Sequence, residues 1–201
     1  METNRRTILQ MLTAAPAAVA FTWTDAEAQE AHTHAQAAQA TAQKTGTLFK
    51  PKFFNAHEWA TIGMLANIII PKDERSGSAT DAAVPEFMDF MMVDQPGRQT
   101  AMRGGLAWLD RECTSRFDKM FVNCTDGERT KVLDDISWPS NAPPAMSHGV
   151  AFFNMFRDLT ASGFWTSRMG IKDLQYIGNT VVAEWKGCPD DVLKKLGVQR
   201  G

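Results

Sequence analysis

Apolar residues recur at every third or fourth position in several stretches of the chain, which is the spacing of one face of an α-helix. These stretches run over 53–70, 85–92, 98–121, 125–138 and 146–162, and a short sixth covers 190–196. No stretch shows the sustained alternation that is typical of a strand. The pattern therefore predicts a mainly α protein, with a single irregular helical domain of about five to six helices and a loop-rich C-terminal part.

Start and stop signals divide these stretches. Pro71 ends the first predicted helix, and Gly163 is a natural left-handed stop for the fifth. Gly104 and Gly105 lie inside the longest predicted helix, where paired glycines indicate a kink or a close contact between helices. Two capping boxes, each a polar N-cap followed three residues later by Glu, mark helix starts: Asn55 with Glu58, and Thr125 with Glu128.

The N-terminus has the pattern of an export signal. Arg5 and Arg6 form a twin-arginine motif, followed by a weakly apolar stretch over 8–21. Ala26 and Ala28 frame a small-x-small cleavage site. We therefore expect residues 1–28 to be a twin-arginine signal peptide. The alternative is an uncleaved amphipathic anchor. A membrane-spanning anchor is not expected, because the apolar stretch is shorter than the ~20 residues that span a bilayer.

The following segment, 29–47, is of low complexity and consists mostly of alanine, glutamine and threonine. It has too few large apolar side chains to offset the entropy of ordering. The sequence predicts a disordered tether here, with His32 and His34 in a solvated tail. We expect residues 48–201 to form the helical domain.

Charge and motifs exclude several functions. The chain has 21 Lys and Arg against 23 Asp and Glu, whereas nucleic-acid binders are usually strongly basic, so we expect no nucleic-acid partner. There is no glycine-rich dinucleotide motif, haem-attachment motif or iron–sulfur cysteine array. We predict no catalytic, cofactor-binding or metal-binding residues in this chain. Candidates for an alternative enzyme would be His57, His148 and the pairs Asp134-Asp135 and Asp190-Asp191, all more typical of helix surfaces.

Three cysteines are present: Cys113, Cys124 and Cys188. An exported chain meets oxidising conditions, and an odd number leaves at least one thiol without an intrachain partner. Cys113 and Cys124 can pair only if the chain reverses sharply between them; otherwise Cys113 is a small buried hydrophobe. Cys188, in a loop beside Gly187 and Pro189, can form an intermolecular bond, an internal bond or remain a thiol.

The chain resembles the gluconate 2-dehydrogenase subunit 3 family, the small subunit of FAD-dependent sugar, polyol and gluconate dehydrogenase complexes. The similarity extends from about Phe53 to Pro189. Four stretches carry it: Ile68-Ile69-Ile70-Pro71 with Asp73-Glu74, Gly77, Ala79 and Val84 to Asp89; Phe121 to Leu133 with its Thr125 start; Phe152-Phe153 through Gly163-Phe164-Trp165-Thr166-Ser167; and Tyr176-Ile177-Gly178 followed by Trp185-Lys186-Gly187-Cys188-Pro189.

The resemblance implies a non-catalytic role. In such complexes a large flavoprotein with FAD, with or without an iron–sulfur cluster, oxidises the substrate, and a multihaem cytochrome c subunit with haem c accepts the electrons. The small subunit would carry the twin-arginine signal, co-export the flavoprotein and stabilise it. We expect a periplasmic complex attached to the inner membrane, with membrane association only through the complex. The alternatives are an independent periplasmic enzyme or an exported structural protein.

The C-terminal part supplies the predicted partner interface. The sequence from Phe164 to Pro189 is irregular and contains the aromatic residues Trp165, Tyr176 and Trp185. Aromatic side chains often anchor protein interfaces. We predict that these residues dock on the flavoprotein, where an intermolecular bond through Cys188 would add a covalent link. The alternative is that the aromatics only cover the helical core.

Overall fold

The computed structural model describes residues 25–45, 49–176 and 187–197, and the predicted signal at Arg5 and Arg6 lies outside them. The described residues form eight helices and no strand, as a single helical domain. The mainly α fold class is therefore confirmed. The helices are α1 Asp25–Thr45, α2 Ala56–Ile69, α3 Val84–Asp94, α4 Gln99–Phe117, α5 Asp126–Ser137, α6 Ser147–Trp165, α7 Arg168–Asp173 and α8 Asp190–Lys195.

The core is built around α3 and α6. α3 packs against α1, α2 and α6, and α6 also contacts α4, α5 and α7. The predicted apolar face of α3 is wholly buried, and the phenylalanines of α6 face the same core. The main contributors are Phe87, Met88, Met91 and Met92 from α3, with Phe156, Leu159 and Phe164 from α6.

Two glycines let α4 and α6 approach each other closely. A Cβ on Gly105 would lie 1.8 Å from the ring of Phe152, and one on Gly149 would lie 2.2 Å from the ring of Trp108. Nothing lies within 4 Å of a Cβ on Gly104. The close-contact interpretation of the glycine pair is therefore correct for Gly105, and Gly104 only accompanies it.

The role predicted for Gly163 is wrong. It does not stop α6 but lies buried within it, where an added Cβ would come within 2.8 Å of Phe87. α6 continues to Trp165. Close packing of α6 on α3 needs a residue without a side chain at this position. In the sequence alone, a glycine that serves packing looks the same as a glycine that ends a helix.

The predicted caps are confirmed. Asn55 accepts a hydrogen bond from the backbone N–H of Glu58, and Thr125 caps α5 in the same way with Glu128 as its reciprocal partner. Buried Asp89 of α3 holds the segment before α2, because its carboxylate accepts the backbone N–H groups of Lys52, Phe53 and Phe54 at 2.9–3.2 Å. A long-range hydrogen-bond network thus fixes the entry to α2.

The disordered tether predicted over 29–47 is wrong for its described residues, since α1 is helical through Thr45. Ala31, His32 and Ala35 are buried and lie on the side that packs on α3. Small side chains let two helices approach closely, and alanine favours the helix. His32 is therefore not in a solvated tail, whereas His34 is exposed and stacks on Phe90 with ring centroids 4.9 Å apart.

The region after Gly163 is also more regular than predicted. Phe164 and Trp165 complete α6, and Ser167 begins α7. The C-terminal helix predicted over 190–196 is confirmed as α8. Trp185 lies outside the described residues, which resume at Gly187.

Candidate functional site

The residues that sequence reasoning weighed for catalysis have structural partners or lie on the surface. His57 Nε2 and Asp110 Oδ2 are 2.6 Å apart, and Asp110 Oδ1 accepts the backbone N–H of Phe121 at 3.0 Å. This arrangement ties α2 to α4 and to the turn after it. His148 is exposed in the first turn of α6.

The two acidic pairs lie on separate helices, α5 and α8. Asp135 forms an ion pair with Arg116 at 2.6 Å, while Asp134 is exposed. Asp190 and Asp191 are exposed in the first turn of α8. Across the described residues, no group of three or more His, Cys, Asp or Glu side chains lies close enough together to hold a metal ion. Asp135 thus takes part in an ion pair, and Asp190 and Asp191 lie at a helix start.

The predicted interface residues Trp165 and Tyr176 both lie on the surface. Trp165, the last residue of α6, is 38% exposed, and Tyr176, beyond α7, is 61% exposed. Leu174, which sequence reasoning missed, is 57% exposed between them in the chain. We call Trp165, Leu174 and Tyr176 the α7 patch.

The frame beneath the α7 patch is well ordered. Ser167 caps α7 by accepting the backbone N–H of Gly170 at 2.9 Å. A Cβ at Gly170 would lie 2.1 Å from the carbonyl oxygen of Phe164, so α7 turns back tightly on the end of α6. The Trp165 ring meets that of Phe164 edge to face, with centroids 4.9 Å apart. Buried Phe164 thereby connects the exposed tryptophan to the core.

The loop between α2 and α3 contacts the end of α7. Arg75 donates to the carbonyl oxygen of Asp173 at 2.7 Å, and its guanidinium lies 3.1 Å from the carboxylate of the same residue. Asp73 accepts the backbone N–H groups of Ser76 and Arg75, which orders this loop and lowers the pKa of Asp73. The α7 patch is thus presented by a fixed frame.

A second apolar feature is a groove between the ends of α2 and α5 and the middle of α6. Its volume is about 330 Å³, and Ile68, Trp138 and Phe153 line it together with Arg157. Trp138 is 68% exposed. Sequence reasoning took Trp138 followed by Pro139 only as the end of a helix, although a tryptophan among polar residues also indicates an exposed apolar site.

The three cysteines have different environments. Cys188 is exposed near the start of α8, which suits a residue that meets another chain. Cys113 and Cys124 are both buried. Burial, followed by the proximity of Cys124, raises the pKa of the Cys113 thiol to about 12.

No helix within the described ranges is long and apolar enough to cross a lipid bilayer. In a comparison with known families, the model of the family described as gluconate 2-dehydrogenase subunit 3 matches residues 56–184. This match begins with α2 and extends beyond the α7 patch. The searches of curated proteins and of solved structures give no match.

Proposed function

The chain belongs to the gluconate 2-dehydrogenase subunit 3 family, and from that premise we propose that it is the non-catalytic small subunit of a periplasmic FAD-dependent sugar or gluconate dehydrogenase. Membership makes it a subunit of a dehydrogenase complex. In the proposal, oxidation takes place on a large FAD-containing subunit, with or without an iron–sulfur cluster, and a multihaem cytochrome c subunit with haem c takes the electrons. This chain stabilises the flavoprotein and carries the export signal for both.

The α7 patch is the observation that carries the interface part of this proposal. Large apolar side chains that stay exposed on a rigid frame favour a protein partner, because burying them against a second chain removes apolar surface from water. Trp165 and Tyr176 combine an apolar ring with a polar group, as interface anchors often do. Trp185 belongs to the proposed surface on the basis of sequence alone.

Co-purification tests this interface. A tag on this chain should recover a large subunit with a flavin absorption spectrum. Replacing Leu174 and Tyr176 with Asp should abolish recovery. Met120→Ala, which alters an apolar residue that is 51% exposed in the turn after α4, is the matched control and should retain the flavoprotein. Equal recovery with both variants would contradict the proposed surface.

Cys188 gives a covalent version of the same contact. Its exposed position beyond the α7 patch suits a disulfide to the flavoprotein. We expect a heterodimer band on a non-reducing gel that disappears with reductant and with Cys188→Ser. Migration of the small subunit alone without reductant would contradict the bond and leave the non-covalent interface untouched.

The export part of the proposal rests on Arg5 and Arg6. Replacing both with lysine should retain this chain and the flavoprotein in the cytoplasm, because a twin-arginine signal is read by a receptor. A flavoprotein that still reached the periplasm would show that this chain does not carry it. Ala26 and Ala28 predict a mature N-terminus near Gln29, which N-terminal sequencing of the exported chain checks.

The proposed complex is attached to the periplasmic face of the inner membrane. In this proposal the attachment is made only through its other subunits.

A further inference from the structure

Cys113 and Cys124 come together because the chain reverses after α4. Asp118 ends the helix in the left-handed conformation, with φ of 58°. A short 3-10 turn, Phe121–Asn123, then leads into Cys124, whose backbone N–H bonds to the carbonyl oxygen of Phe121. This is the sharp reversal that a bond between the two cysteines requires.

The two thiols are neighbours in the core. Cys113 is wholly buried on α4, and Cys124 is 3% exposed. The Cys124 thiol donates to the carbonyl oxygen of Lys119 at 3.9 Å, and it lies near enough to Cys113 to help raise the pKa of that thiol. Solvent-borne reagents therefore meet neither sulfur readily while the domain is folded.

We propose that Cys113 and Cys124 form an intrachain disulfide that closes the turn between α4 and α5 when the chain is oxidised before it folds, and that they remain a protected dithiol when it folds reduced. The oxidation state of this pair then records whether folding preceded or followed exposure to an oxidant. This inference concerns the chain itself and does not rest on its proposed function.

The chemistry is thiol–disulfide exchange with a disulfide oxidant, such as oxidised glutathione. One cysteine loses its proton, and its thiolate attacks a sulfur of the oxidant, releasing one thiolate. The second cysteine, also deprotonated, attacks the mixed disulfide and displaces the other half of the oxidant. An S–S bond forms between Cys113 and Cys124, and the two electrons that the pair loses reduce the oxidant to two thiols.

Burial explains the protection of the folded dithiol. The thiolate is the attacking species, and a pKa of about 12 for Cys113 leaves very little of it at neutral pH. In the unfolded chain both thiols return to the ordinary range near 8.5 and are accessible. We therefore expect oxidation of the folded chain to be at least ~100-fold slower than oxidation of the unfolded chain.

The test uses the full chain with Cys188→Ser, so that only the buried pair reacts. One sample is reduced and folded, freed of reductant and then given oxidised glutathione. The other is reduced in urea, freed of reductant, oxidised with the same reagent while still unfolded in urea, and only then refolded by dilution, because disulfide exchange is slower than folding. After denaturation, alkylation and mass spectrometry count the remaining thiols and identify the linked peptides. No core residue is changed, so loss of folding through mutation cannot obscure the result.

We expect the refolded sample to contain the Cys113–Cys124 cross-link in a monomer, while the folded sample keeps both thiols. The cross-linked form should melt about 5–10 °C higher than the reduced form, because the bond restricts the unfolded chain. Glutathione adducts or dimers in place of the cross-link would overturn the proposal. If the folded sample were oxidised as fast as the unfolded one, the proposal that folding protects the dithiol would be wrong.

Discussion

Large apolar side chains occur in two regions of the molecule, where their surroundings differ. Along α3 and α6, residues such as Phe87 and Phe156 are wholly buried. In the α7 patch, Leu174 and Tyr176 remain more than half exposed, although their backbone N–H groups are hydrogen-bonded to the carbonyl oxygens of Gly170 and Ile171. The free energy of burying the first set stabilises this chain, and that of burying the second is available to a partner.

α1 lies between these two cases. It packs on α3 through Ala31, His32 and Ala35, which are buried but bring little apolar area. Because the free energy of burial scales with apolar area, we expect these three side chains to contribute less to stability than the phenylalanines of the core. The comparison therefore predicts a gradient, from a core that tolerates little change to surfaces whose changes leave folding intact.

The largest effect is expected in the core. Phe156→Ala removes a fully buried ring from α6 and should lower the free energy of unfolding by about 3–5 kcal/mol. Urea unfolding followed by circular dichroism measures the change. A loss below about 1 kcal/mol would show that Phe156 lies outside the cooperative core and would contradict the contrast between this core and the α7 patch.

A smaller effect is expected where the helices approach most closely. Gly105→Ala places a methyl group in the space of the Phe152 ring and should cost about 1–3 kcal/mol. Gly104→Ala, one residue away with open space around it, is the matched control and should stabilise α4 by up to about 1 kcal/mol. Equal effects of the two substitutions on the urea midpoint would contradict the close contact.

Substitutions in the α7 patch should change affinity for the partner rather than the free energy of unfolding. Tyr176→Ala changes an exposed side chain, so the free energy of unfolding should change by less than about 0.5 kcal/mol. Affinity for the flavoprotein should fall by roughly 2 kcal/mol, or about 30-fold, if the ring is an anchor. Unfolding curves and surface plasmon resonance separate the two quantities. A stability loss close to that of Phe156→Ala would assign Tyr176 to the core.

The smallest effect concerns α1 and depends on pH. Burial lowers the pKa of His32 below its ordinary value of 6.5, so the folded chain favours the neutral imidazole. Between the lowered pKa and 6.5 the undocked state binds more protons, and docking of α1 therefore weakens as pH falls through this window. Hydrogen exchange of α1 amides, corrected for intrinsic rates, should show less protection at pH 5.5 than at pH 7.5.

A matched variant isolates the histidine. His32→Leu removes the titrating group and should abolish this difference, whereas His34→Gln alters an exposed ring and should preserve it. Protection that depends on pH in the His32→Leu chain would assign the effect to another group.

Local signals in the sequence predicted much of the fold. Asn55 with Glu58 and Thr125 with Glu128 begin helices where the capping rule places them, because a cap involves only residues three apart. The buried face of α3 followed from helical spacing alone. Gly163 could not be interpreted correctly in the same way, since only its contact with Phe87 distinguishes a packing glycine from a helix stop.

The candidate site was predicted only in part, because exposure depends on contacts between distant segments. Trp165 and Tyr176 were chosen for their aromatic character, and their exposure depends on how α7 folds back on α6. Leu174 and the groove at Trp138 were missed, because an apolar residue near a helix end can be buried or exposed. Their status is decided by elements that are distant in sequence.

By itself, the sequence determined the helical class, the main helix starts, the family resemblance and the candidate interface aromatics, because short-range patterns carry each of these. Only the tertiary structure decided that α1 packs on α3, that Gly105 makes room for Phe152, and that Cys113 lies beside Cys124. These facts depend on contacts between segments that the chain brings together when it folds. Periodicity identifies the face of a helix that is buried, but it does not identify the partner that covers it.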